Sequence, residues 1–133
     1  MSGENVPVLR DAYDAFARQD VAAVMAAFDE GIEWRVPESL PFGGTYRGHG
    51  GVGEFFGTLP SHLSDLSVEP KEFIDGGDTI VVLVRVAGTG AAGPLDQTHV
   101  HLWRMRGGKA ASFTEFGDTA RTLAVLGQPA GTA

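Results

Sequence analysis

The chain has no cysteine. That excludes a disulfide framework, a thiolate metal centre and a cysteine nucleophile, and it is compatible with a reducing cytoplasm, the location expected for it. Basic residues are scarce: ten lysines and arginines stand against 17 aspartates and glutamates, a formal net charge of −7. A surface for nucleic acid or an anionic membrane would have to be built against that field, so neither partner is expected. Long apolar runs are missing, and none approaches the roughly 20 residues a spanning helix needs. Met1 to Pro7 has neither the basic start nor the apolar stretch of a signal peptide. There is no internal repeat and no low-complexity segment. What remains is ordinary globular material, 43% hydrophobic and 20% charged over 133 residues, enough for one domain spanning 1–133 with a packed core. Its ordered part is expected over about 5–126, with 127–133 a flexible tail.

The apolar spacing orders the elements. Leu9, Ala12, Tyr13 and Phe16 recur at helical intervals between Val6 and Arg18. Asp20 reads as the N-cap of a second helix that presents Val21, Val24, Met25 and Phe28 on one side. A short strand, Ile32 to Val36, ends at Pro37, and Glu38 to Gly51 reads as a loop of the kind that carries sites. Val52 to Leu59 is a short helix stopped by Pro60. Val68 to Ile74 and Thr79 to Ala87 are strands joined through Asp75-Gly76-Gly77-Asp78, and a last helix, Thr119 to Leu126, has Asp118 as its cap and Gly127 as its stop. Helices first and an antiparallel meander afterwards make the fold class α+β.

Two further alternating runs, Gln97 to Arg106 and Lys109 to Gly117, flank a Gly107-Gly108 turn and form a hairpin. Gln97, His99, His101, Trp103 and Met105 share one face of the first run, because side chains alternate along a strand. Imidazoles and amides must find partners when buried, so that face reads as the polar-rimmed floor of a pocket. A neutral imidazole at His101 has the ordinary pKa for acid/base work near neutral pH. Glu115 lies across the hairpin from it, with Phe113 on its own face, and can orient His101; His99 is the second candidate. Trp34, Tyr46, Phe55, Trp103, Phe113 and Tyr13 are expected to shape the substrate's place, with Tyr46, Arg47 and His49 in a loop over the mouth. Two histidines two residues apart can sit on a metal only with a third ligand. No further His-x-His or carboxylate cluster completes such a set, and no metal is expected.

The segments AYDAFARQDVAAVMAAF, IEWRVPESLPFGGTYRGHGGVGEFF and HVHLWRMRGGKAASFTEFGD, in that order, cover most of the chain. They resemble the SnoaL-like, ketosteroid-isomerase-related branch of the nuclear-transport-factor-2-like superfamily. That resemblance implies a cone-shaped α+β barrel, its N-terminal helices packed on a curved antiparallel sheet, and a homodimer through the open face of the sheet. The resembling isomerases place an aspartate base just before a proline on the first strand, where this chain has Val36 before Pro37. Their tyrosine donor falls at Ala12, leaving Tyr13 about 100° round the helix, and their protonated aspartate falls at His101. Steroid isomerisation by those three residues is therefore not expected. SnoaL-like cyclases use a pocket Asp or His to take a proton next to a carbonyl, which points to cofactor-free isomerase, cyclase or dehydratase chemistry on a small apolar or aromatic molecule. The alternative is a non-catalytic ligand-binding or dimerisation module of the same fold.

Overall fold

The computed structural model describes residues 4–127, so the expected tail at 128–133 lies outside the described residues. Helix α1 (Asn5–Ala17) and α2 (Val21–Ala26) lead into β1 (Phe28–Val36) and β2 (Gly44–Arg47). Helix α3 (Gly48–Thr58) and a 3₁₀ turn (Leu59–Ser61) precede the long strands β3 (Ser64–Gly76), β4 (Thr79–Gly90) and β5 (Gly93–Arg106). Strand β6 (Lys109–Phe116) and helix α4 (Thr119–Leu126) complete the chain order.

Several local signals act as their chemistry requires. The Asp20 carboxylate accepts from the Ala23 amide at 3.1 Å and opens α2. Asp118 does the same for α4 through the Arg121 amide at 3.0 Å, and Gly127 ends that helix in the left-handed conformation, φ 83°. Gly107 and Gly108 both have positive φ, 59° and 78°, the pair a tight turn between β5 and β6 needs.

Three expectations are corrected. Phe28 is not on the face of α2; it begins β1 and is buried, because α2 closes at Ala27 after less than two turns. The segment 38–51 is not a plain loop, since Gly44–Arg47 adds β2 to the edge of β1 and α3 already starts at Gly48. The sheet is neither wholly antiparallel nor closed. Its order is β2-β1-β6-β5-β4-β3, and β1 runs parallel to β6, so the first strand returns beside the last one across the whole chain. Long-range parallel pairing leaves no trace in local spacing.

The strands are also longer than their apolar cores suggest, and this matters for the site. Along β4 and β5 the inner positions Ile80, Val82 and Val84 pair with Trp103, His101 and His99, all buried. Helices α1, α3 and α4 cover this inner face. The outer face stays uncovered, with Ile74, Val81, Leu83, Val100, Leu102 and Phe116 lying in adjacent rows across four strands.

Candidate active site

Between the helices and the inner face of the sheet lies a cavity with about 830 Å³ of empty space, its mouth included. Its walls are largely aromatic. Trp34 stacks on Phe113 with centroids 3.8 Å apart, since β1 and β6 bring the two into register. Trp103 and Phe55 lean on that pair from β5 and α3. No lysine or arginine lines the cavity among the described residues.

The polar groups gather at one end. His99 and His101 point inward from β5, and Glu115 reaches them from β6, where it pairs with His101 in the register of the hairpin. One oxygen of Glu115 is 3.3 Å from His99 Nδ1 and 3.6 Å from His101 Nε2. Helix α1 supplies the fourth member. The Tyr13 hydroxyl is 2.6 Å from His101 Nδ1 and accepts from the Trp103 indole N–H at 3.0 Å. Tyr13, expected to shape the substrate's place, thus reaches His101 although it lies about 100° round the helix from Ala12, the position that aligns with the isomerases' tyrosine. Seen from the sheet, Ala12 and Tyr13 both line the cavity, and the longer side chain reaches the imidazole.

The proton positions follow from what each group can do. An indole N–H only donates, so Tyr13 Oη receives it and turns its own proton to the acceptor in reach, His101 Nδ1. A neutral His101 then carries its proton on Nε2, facing the Glu115 carboxylate. Burial depresses the His101 pKa below its ordinary 6.5, an effect the neighbouring carboxylate only partly offsets. Burial pushes the Glu115 carboxyl up, but the contacts with His101 and His99 outweigh it and hold the carboxyl at about 2. Burial, with Glu115 adding to it against the Trp103 hydrogen bond, raises the Tyr13 pKa and keeps the phenol protonated.

Tyr46 is corrected as well. It is in β2 rather than over the mouth, its hydroxyl donates to the Phe42 carbonyl at 2.8 Å, and it packs on Phe55 outside the cavity wall. Arg47 pairs with Glu33 at the surface, and His49 bonds the Phe28 carbonyl, 2.9 Å away, so neither reaches the cavity. The expected lack of a third metal ligand does not hold. His99, His101 and Glu115 offer three ligand atoms within 4.8 Å of one another, a set that could hold a divalent cation. Thr122 of α4 also lines the cavity; a threonine in a short helix carries no spacing signal that singles it out.

Residues 9–113 match the family model of the SnoaL-like domain. The chain belongs to the SnoaL-like family. Among solved structures, an NTF2-like protein of unknown function from Burkholderia pseudomallei is 33% identical, with a TM-score of 0.89 over 93% of this chain and 98% of its own. TerC, co-crystallised with polyporic acid, is 29% identical with the same TM-score, covering 95% of this chain and all of its own. A protein from Catenulispora acidiphila with a ketosteroid-isomerase-like fold, in complex with trimethylamine, shares the fold at 16% identity and a TM-score of 0.79 over 95% of this chain and 96% of its own. No curated protein matches the sequence. In this SnoaL-like chain the family match stops at Phe113, two residues before Glu115.

The buried groups tie stability to pH. As pH falls below 6.5 an unfolded His101 takes a proton that the buried one refuses, and below 4.5 an unfolded Glu115 does so while the folded carboxyl stays ionised to about 2. In both ranges the unfolded state binds more protons, so stability falls continuously as the pH is lowered from about 6.5. Urea unfolding at a series of pH values checks this; Glu115→Gln is expected to flatten the loss below pH 4.5, and an unchanged slope would contradict the assignment.

Proposed function

We propose that this protein is a small-molecule enzyme of the SnoaL-like class that moves a proton on a cyclic or aromatic apolar substrate, an isomerase, cyclase or dehydratase type of reaction, without metal or cofactor. One observation carries this. Tyr13, His99, His101 and Glu115 converge at one end of a cavity whose other walls are largely aromatic and aliphatic. An apolar pocket with a few convergent polar groups is where a small ligand's polar atoms fit. The small-molecule complex of TerC supports the reading.

In this scheme His101 is the base and Tyr13 its contact with the substrate. A proton leaving carbon next to a carbonyl goes to Tyr13 Oη as the phenolic proton passes to His101 Nδ1, 2.6 Å away. The imidazolium so formed faces the ionised Glu115. The same atoms return a proton to a different position of the substrate. Trp103 N–H holds the Tyr13 oxygen in place, and the aromatic walls exclude water, which strengthens each charge interaction inside. His101 Nε2 carries a proton in this arrangement and is not a metal ligand.

Both tryptophans of the chain line the cavity, so quenching of intrinsic fluorescence reports binding there. A panel of polyketide, terpenoid and steroid ketones screened this way should yield a saturable ligand. For a ligand that is turned over, His101→Asn and Tyr13→Phe are each expected to lower the rate by roughly 10²-fold or more, while dialysis against a chelator leaves it unchanged. Turnover retained in a folded His101→Asn protein would place the base elsewhere. Binding without turnover would favour a ligand-binding module.

The domain spans the chain from 1 to 133 in this proposal, acts in the cytoplasm, and pairs with a second copy through the outer face of the sheet. Ile74 and Phe116 are 48% and 52% exposed there, beside the partly buried Val81, Leu83, Val100 and Leu102, an apolar patch of the kind that marks an interface. Sedimentation at micromolar concentration is expected to show a dimer and Val100→Lys a monomer. A monomeric wild type would overturn this part.

A further inference from the structure

His99 sits in a socket built by the end of β6 and by α4. Its ring occupies the space where a side chain at Gly117 would begin, since a Cβ there would come within 2.8 Å of Cδ2 and 2.9 Å of Nε2. The φ of Gly117 is not positive, so the imidazole, not the backbone, requires glycine at that position. From the other side the Gln97 amide nitrogen is 2.6 Å from His99 Nε2. The same nitrogen is 2.9 Å from Thr122 Oγ1 and 3.5 Å from the Asp118 carbonyl.

One set of protons meets all of these contacts. Thr122 is 3% exposed and gives its hydroxyl proton to the Asp118 carbonyl at 3.0 Å, so it presents only lone pairs to Gln97. A carbonyl likewise only accepts. With the nitrogen as the Gln97 atom turned toward both, one of its two protons serves Thr122 and the other His99 Nε2. With Nε2 an acceptor, the ring proton of a neutral His99 sits on Nδ1, the atom 3.3 Å from Glu115. The nitrogen that carries the proton is set by the bond the other one makes.

Helix α4 is anchored well enough to impose this. Asp118 caps it, Leu123, Val125 and Leu126 are buried, and the Val125 carbonyl accepts from the Ala92 amide at 2.8 Å. Gly90 allows that approach, because a Cβ on it would be 2.5 Å from the same carbonyl. Glu115, Gly117 and Thr122 all lie beyond residue 113, where the family match ends.

We propose that Gln97, Thr122 and Gly117 are positioning residues that fix His99 as its Nδ1–H tautomer aimed at Glu115, so that the C-terminal helix completes the site. Glu115 then faces two imidazole N–H groups, one from each histidine, and stays ionised opposite the base. The catalytic consequence rests on the proton-transfer reading above. The tautomer does not, being a property of the folded chain without substrate.

Long-range ¹H–¹⁵N NMR on the uniformly labelled full chain at neutral pH tests it directly. The expected spectrum has a pyrrole-like Nδ1 and a pyridine-like Nε2 for His99. Gln97→Glu keeps the shape but replaces the donor by an acceptor, and should switch His99 to the Nε2–H form. Thr122→Ser should keep the wild-type pattern, and Thr122→Val should lose it in part. An Nε2–H tautomer in the wild type, or an Nδ1–H signal that survives Gln97→Glu, would overturn the proposal. A spectrum as expected in a protein that turns over no substrate would count against the enzyme reading alone.

Discussion

The hydrogen bond between Tyr13 and His101 joins the first helix to the middle of the sheet across 88 residues of chain. It sits where a polar group costs most, inside an apolar cavity, and its two ends have nowhere else to turn. Deleting the Tyr13 hydroxyl would strand the Trp103 indole N–H and the His101 nitrogen together, at about 1–3 kcal/mol for each unsatisfied group. The rest of the site is arranged to make that bond tenable. Trp103 donates into the phenol, Glu115 faces the far side of the imidazole, and Gln97 and Thr122 hold His99 beside them.

The aromatic walls and the polar end depend on one another. Trp34, Phe113 and Trp103 make the cavity wall apolar, and a carboxylate buried beside such a wall would ordinarily take up a proton. Two facing imidazoles reverse that tendency for Glu115. The result is a fixed negative charge beside a neutral imidazole. Helix α4 contributes Thr122 to the cavity wall from outside the span of the family match.

Much of this was legible in the amino-acid order. Strict alternation from Gln97 to Met105 placed both histidines and Trp103 on one face, and the Gly107-Gly108 turn marked the hairpin, although it is a register shift between Arg104 and Met105 that sets Glu115 opposite His101. Capping aspartates marked α2 and α4 correctly. What was not legible depends on distance in sequence. Tyr13 looked misphased because a position on a helix says nothing of how far its side chain reaches once the helix is tilted on a sheet. The pairing of β1 with β6 has no local signature, and it is what brings Trp34 onto Phe113. The meeting of Glu115 with two histidines, and so a possible ligand set for a cation, arises only when the hairpin is folded. Gly117 carried no signal, because its need for glycine comes from the ring of a residue 18 positions away.

The central claim is that the Tyr13, His101 and Glu115 groups form the reacting end of a ligand cavity. A crystal structure of the protein with a saturating cyclic ketone found by fluorescence tests it most directly. The expected result places the ketone between the aromatic walls with its carbonyl or the adjacent carbon at the Tyr13 hydroxyl, within the roughly 2.6–3.2 Å of a hydrogen-bonded or near-attack contact. A ligand seated elsewhere, or one filling the cavity with only its apolar edge toward Tyr13 and His101, would contradict it.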